Sequence, residues 1–137
     1  MTGDIIIWSD EYLVGNEAID TQHKGLVKIT NDFYNGVRMG GLMAKMFFIR
    51  TIQETVQYVK THFSTEEDLM QKGKYPFLEE HRKQHEEFVA EVSRQARIIE
   101  SEDNPDPMCF VLFLMNWILE HIAESDKKIT PYIADLR

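Results

Sequence analysis

The chain has five histidines, His23, His62, His81, His85 and His121. Each falls on, or at the edge of, a helical stripe that otherwise carries leucine, valine and phenylalanine. One histidine on such a stripe would read as a hydrogen-bonded core residue. Five of them are costly to bury without partners, because every imidazole has two polar nitrogens to satisfy. A metal ion takes one nitrogen of each ring and leaves the other to donate to an outer acceptor. The spacing favours this. His62 and Glu66 are one helical turn apart and can reach a common centre, and His81 and His85 repeat the arrangement. His23 and His121 complete a ring at the same level. The remaining candidate ligand is Asp126, five residues after His121. In a straight α-helix that step turns the side chain about 140° away. Either Asp126 reaches back from a flank or the helix is locally widened. Ser125 has the better spacing, but a hydroxyl is a poor ligand and an ionised carboxylate suits iron.

Two roughly octahedral irons offer about twelve coordination positions. The five histidines fill five. Glu66 and Asp126 fill four if each bridges both metals, and a bridging hydroxo or oxo group fills two more. One position stays open, on one iron only. Two ferrous ions, two carboxylates and one hydroxide leave a net charge of about +1, tolerable in a bundle interior.

The elements that must hold these residues are helices. Residues 1 to about 18 form an arm carrying Trp8, Tyr12, Leu13 and Val14, which is expected to pack across the bundle. Asp20 is the expected N-cap of a first helix with His23, Leu26 or Val27, Thr30, Phe33 or Tyr34, and Val37 in register; Gly40 and Gly41 end it. A second helix from near Leu42 carries Met46, Ile49, Ile52, Val56, Val59, Phe63, Glu66 and Met70 on one stripe, with Gly73 as its stop. Pro76 suits the first turn of a third helix that aligns His81, His85, Phe88, Val92, Ala96 and Ile99. Ser101 to Pro107 reads as a loop. A fourth helix from about Met108 puts Val111, Leu114, Ile118 and His121 inward, until Pro131 disturbs it. The expected fold is all-α, an up-down-up-down four-helix bundle with an N-terminal arm and a di-iron site in its core. A single domain spans residues 1–137, with the bundle over about 19–135.

Composition narrows the function. At 43% hydrophobic and 28% charged residues, the chain reads as an ordinary soluble globular domain. A formal charge of −8 argues against nucleic acid, where binding begins with clustered cations. The longest apolar stretch, Met108 to Leu119, is shorter than the about 20 residues a bilayer span needs, so no membrane partner is expected. The start lacks the layout of a secretory signal. Cys109 is the only cysteine, so no intrachain disulfide forms and a cytoplasmic location is expected.

The motifs resemble those of the hemerythrin family, specifically its bacterial single-domain members, over nearly the whole chain. They read Trp8-Ser-Asp-Glu-Tyr-Leu-Val14-Gly15, Ile19-Asp20-Thr-Gln22-His23, His62-Phe63-Ser-Thr-Glu66-Glu67, Tyr75-Pro76, His81 with His85, and Trp117-Ile118-Leu-Glu-His121-Ile122 followed by Asp126. The resemblance implies a division of ligands that spacing alone leaves open. His81, His85 and His121 hold one iron, His23 and His62 the other, and Glu66 and Asp126 bridge them. It further implies that dioxygen binds reversibly at the iron with two histidines, in a dry pocket walled by Leu26, Phe63, Trp117, Ile118 and Ile122. The family often has leucine where Ile118 stands. Glu67 is expected to face a neighbour or solvent.

The expected role is that of an oxygen carrier or store rather than an enzyme, with dioxygen as the partner and a monomer as the expected state. Di-iron oxidase bundles use Glu-x-x-His pairs, and no such pair occurs among the seven candidate ligands. Related repair proteins usually add an N-terminal region and differ in their carboxylates. The alternative is a free-standing oxygen or nitric oxide sensing module that signals to a partner protein.

Overall fold

The computed structural model describes residues 3–101, 106–133 and 136, and among these every regular element is helical. The long helices are α1 (Glu17–Val37), α2 (Gly41–Lys72), α3 (Leu78–Ser101) and α4 (Pro107–Glu120). A π-helical turn (His121–Ser125), a 3-10 turn (Asp126–Ile129) and a short α5 (Thr130–Ile133) continue α4.

The first helix begins earlier than expected. Asn16, not Asp20, is its N-cap, and the Asn16 side chain accepts the Ile19 N–H. Asp20 lies inside the first turn and its carboxylate accepts the Val14 N–H at 2.7 Å. Asn16, a competing acceptor one turn upstream, is closer to the helix start and takes the cap. Farther along α1, Asn31 accepts the Ile6 N–H and donates to the Ile6 carbonyl, both at 2.9 Å, clamping the arm by two bonds. Trp8 and Tyr12 then pack against the core, Val14 is buried, and Leu13 faces solvent.

Gly40 and Gly41 take positive φ, 71° and 57°, which side chains rarely tolerate, and so make the reversal into α2. Along α2 the inner face differs from the expected stripe. Met46, Ile49 and Val56 are exposed, whereas Ala44, Phe48, Thr51 and Thr55 are buried with Ile52, Val59, Phe63, Glu66 and Met70. Counting back from Met70 in steps of about 3.6 residues reaches Glu66, Phe63, Val59, Thr55, Ile52 and Phe48. Following Ile49 and Met46 instead implies a period near 3.5, which drifts by about 20° per heptad. Geometry overrode hydrophobicity at those positions.

Pro76 lies in the turn before α3. On α3, Phe88 and Val92 are buried as expected; Gln95 is buried where Ala96 is only half-buried. The Ile99 side chain and most of the Ser101–Pro107 loop lie outside the described residues. Asp106 caps α4 by accepting the Met108 N–H, with Pro107 at the first helical position. Pro131 does not interrupt the chain's helical path; it sits in the first turn of α5. The helical run Pro107–Ile133 is therefore 27 residues, long and apolar enough to cross a membrane by length and composition. The stretch Met108–Leu119 is thus only part of a run long enough for a span, contrary to the expectation from its own length. Its inner stripe of Phe110, Val111, Leu114 and Ile118, continued by His121 and Asp126, is buried in the bundle as in a core helix.

Two hydrophobic clusters bracket the histidine level. The larger holds Phe33, Phe48, Phe63, Phe88, Phe110, Leu114 and Ile118, and the smaller holds Val14, Ile19, Leu69, Met70, Tyr75, Ile129 and Ile133. The second closes because α5 returns over the end of α2. A Cβ on Gly73 would lie 2.2 Å from the Tyr132 carbonyl oxygen, so only glycine admits that approach.

Candidate metal centre

Between the two clusters, seven polar side chains point at one another. His23 comes from α1, His62 and Glu66 from α2, His81 and His85 from α3, and His121 and Asp126 from the π-helical and 3-10 turns that follow α4. His23, His62, Glu66 and Asp126 are fully buried, and the other three histidines are 3% exposed.

Asp126 joins them through the widened turn. The Asp126 N–H donates to the His121 carbonyl, a bond across five residues rather than four. That single inserted residue cancels most of the rotation that a straight helix would impose, and carries the carboxylate back over His121. Of the two routes open to Asp126 in the sequence, the widened helix is the one adopted.

The distances define two overlapping donor sets. His62 Nε2 lies 2.7 Å from Glu66 Oε1, with His23 Nε2 3.9 Å from the same oxygen. His23 Nε2 lies 2.8 Å from Asp126 Oδ2, while Asp126 Oδ1 is 2.8 Å from His81 Nε2 and 3.0 Å from His121 Nε2. Glu66 Oε2 is 3.6 Å from His81 Nε2, and the Nε2 atoms of His85 and His121 face each other at 3.2 Å. His23, His62, Glu66 and Asp126 offer donor atoms within 4.8 Å of one another, and so do Glu66, His81, His85 and His121.

Apart from the His85–His121 pair, these close approaches are not hydrogen bonds. Both oxygens of Glu66, both of Asp126 and the Nε2 atoms of His23, His62 and His81 are buried with no hydrogen-bond partner, although several lie within 3 Å of a polar atom. Short separations with unsuitable angles mean that lone pairs converge on shared space. Buried polar atoms left in that state are expensive, and cations in that space satisfy them. The donor set of imidazole and carboxylate suits iron.

Outer partners orient three of the rings. The His62 Nδ1–H donates to Gln22 Oε1 at 2.8 Å, His121 Nδ1–H to Gln84 Oε1 at 3.0 Å and His85 Nδ1–H to Glu67 Oε2 at 2.9 Å. Each bond leaves Nε2 as the lone-pair nitrogen facing the centre. The outer nitrogen of His23 is buried without a partner. The sequence assigns no role to Gln22 or Gln84, because an amide on a helix flank does not show which ring on another helix it will meet. Gln22 is one residue before His23 and Gln84 one before His85, so each flanks a ligand on its own helix but serves a ring on another. Tyr75 meets the His81 ring edge-on at 6.4 Å, while Tyr58 lies over Gly25.

The predicted pocket residues divide. Leu26, Phe63, Ile118 and Ile122 are buried in the larger cluster. Phe63 stacks on His85 at 3.8 Å, its plane within 5°. Trp117 is half-buried, stacks on His121 at 4.2 Å and 15°, and lines a surface cleft of about 370 Å³ with Phe88, Glu120 and Glu124. It covers the three-histidine side.

Without a cation, the cluster manages its charge by sharing protons. Burial lowers the affinity of His23 and His81 for protons, but contacts with Asp126 and Glu66 outweigh it and raise both from 6.5 to about 9. Burial pulls His85 down to about 4. Burial pushes Glu66 and Asp126 up, yet the surrounding imidazoles hold both below the usual carboxylate range. The raised histidines stabilise the metal-free fold fully below pH 6.5, and that stabilisation is lost as pH climbs through about 9. The depressed carboxylates contribute above their ordinary range and lose their contribution on acidification. Chelator-treated protein is therefore expected to be most stable at mildly acidic to neutral pH and to melt earlier at alkaline pH. Metal must displace a proton from both His23 and His81, so binding is expected to release protons at neutral pH and to weaken on acidification. Thermal melts across pH, with an indicator dye during metal addition, check both expectations.

Comparison with known proteins agrees with this geometry. The family model of the hemerythrin HHE cation binding domain matches residues 14–133. A bacteriohemerythrin of Stenotrophomonas maltophilia (strain R551-3) is 29% identical over 124 residues, covering 90% of this chain and 78% of the relative. One from Clostridium acetobutylicum is 30% identical over 126 residues, covering 90% of this chain and 98% of the relative. A crystal structure of wild-type hemerythrin superposes with a TM-score of 0.81 at 21% identity, covering 95% of this chain and 98% of that one, a likeness of fold. With its helices, its inward histidines and the matched residues in agreement, the chain belongs to the hemerythrin family.

Proposed function

We propose that the chain holds two irons and binds dioxygen reversibly, as a carrier or store. The observation that carries the reading is the pair of donor sets that share Glu66, with the two oxygens of Asp126 turned to opposite sides. In this reading His81, His85 and His121 hold one iron, His23 and His62 hold the other, and Glu66 and Asp126 bridge. Two ferrous ions, when bound, would each supply one electron to dioxygen and take it back on release.

The protein's own part is to fix and to dry the site. Gln22, Gln84 and Glu67 hold three rings in one tautomer, so the lone pairs face inward before any metal arrives. Leu26, Ile118 and Ile122 are buried in the larger hydrophobic cluster, which supports slow exchange with water at the centre. Five imidazoles against two carboxylates give the site few anionic donors. That composition favours release of dioxygen over the high-valent iron an oxidase needs, and supports a carrier rather than an enzyme.

Anaerobic reconstitution with ferrous iron, followed by metal analysis of the desalted protein, tests the site. Two irons per chain are expected. One iron, or retention of zinc in preference to iron, would contradict the reading.

A further inference from the structure

The outer nitrogens of four of the imidazoles, those of His23, His62, His85 and His121, meet surroundings of unequal charge. His62 and His121 donate to the neutral amides of Gln22 and Gln84, and the outer nitrogen of His23 is buried without a partner. Of these four, among the described residues, only His85 donates to a carboxylate, Glu67 Oε2, at 2.9 Å. The other oxygen of Glu67 accepts from Arg82 Nε at 3.1 Å, and Arg82 also meets Glu79 at 2.6 Å. Glu66 and Glu67 are neighbours on α2, yet one turns into the centre and the other to α3.

We propose that Glu67 is a positioning residue that, through His85, makes the three-histidine metal position the more strongly donating of the two, and that Arg82 limits how far it does so. The inference rests on the two-metal reading above. A carboxylate accepting from Nδ1–H draws that proton toward itself and raises electron density at Nε2, so the ring binds metal more tightly and favours its higher charge state. The Glu67 side chain is 26% exposed, so its charge is only partly screened. The Arg82 guanidinium draws on the same carboxylate and weakens its pull. Nothing equivalent stands behind His23 or His62, so the two metal positions differ in donor strength as well as in ligand number.

The two residues should therefore act in opposite directions. Glu67→Gln keeps an acceptor for the His85 N–H but removes the charge; Arg82→Met removes the cation that restrains it. Chelator competition with cobalt(II) on the metal-free protein reads affinity, and redox titration of the iron-loaded protein reads potential. Glu67→Gln is expected to weaken one cobalt position by about tenfold, the lower end for loss of an outer partner. It should also shift the ferric-to-ferrous balance toward ferrous by a similar factor, about 59 mV for a one-electron couple. Arg82→Met should move both quantities the other way. A purely structural role predicts the same direction for both variants, since each loosens the same ring. Shifts of equal sign, or two variants indistinguishable from the parent, would overturn the inference while leaving the two-metal reading intact. A parent that binds no cobalt would overturn both.

Discussion

Asp126→Ala and Glu66→Ala are expected to strip the protein of most of its metal, whereas His23→Ala should retain substantially more. Asp126 faces His23 with Oδ2 and His81 with Oδ1, each at 2.8 Å, so its loss removes a donor from both positions at once. It also removes one of the two negative charges that offset the cations in a fully buried space. Its loss also removes one of the two carboxylate contacts that raise His23 and His81, which eases proton competition and offsets only part of this effect. The affinity loss should exceed the roughly 10–100-fold typical of losing an outer partner. His23→Ala removes one terminal ligand from one position and leaves both carboxylates. Metal per chain after identical reconstitution of the three variants measures the difference. Equal, full loading in all three would mean that neither carboxylate bridges.

Asp126 also shows where sequence reasoning reaches and where it stops. The residues of the centre were legible because five histidines on apolar stripes have no inexpensive alternative explanation. The π turn that delivers Asp126 was legible only as one of two possibilities, since the same residues fit a regular helix locally. What decides is the long-range cost of leaving the carboxylate outside. The start of α1 was misplaced because Asp20 and Asn16 are both good caps, and the choice depends on where Val14 and Leu136 come to lie. On α2, Phe48 and Thr55 are buried because a nearly straight helix keeps its own period, although Ile49 and Val56 are also apolar. The roles of Gln22 and Gln84 are not legible for a different reason. Their role exists only between helices, and a glutamine flanking a ligand looks like any other surface glutamine.

Shortening Ile118 to alanine is expected to accelerate conversion of the loaded protein to the ferric form, by several-fold or more, and to speed azide entry. Ile118 is 2% exposed, its carbonyl accepts the His121 N–H, and its side chain belongs to the larger cluster one turn from that ligand. Removing three carbons there opens space that the close-packed surroundings refill only in part. The fold should lose about 2–5 kcal/mol, the usual range for a buried large-to-small change. The rate must therefore be taken on folded, fully loaded protein, with Lys128→Ala as a surface control. Destabilisation without any change in autoxidation would assign Ile118 to packing alone and place the dry wall elsewhere, on Leu26 or Ile122.

Reversible binding of dioxygen at a two-iron centre is tested most directly by an anaerobic oxygen titration followed by optical absorption. Protein loaded with two ferrous ions per chain should develop an oxygen-dependent charge-transfer band that saturates near one dioxygen per chain. The band should fade when oxygen is withdrawn under vacuum, and return at nearly full amplitude on re-exposure. A band that forms once and never reverses, or iron that turns ferric without any oxygen-dependent absorption, would contradict the carrier reading.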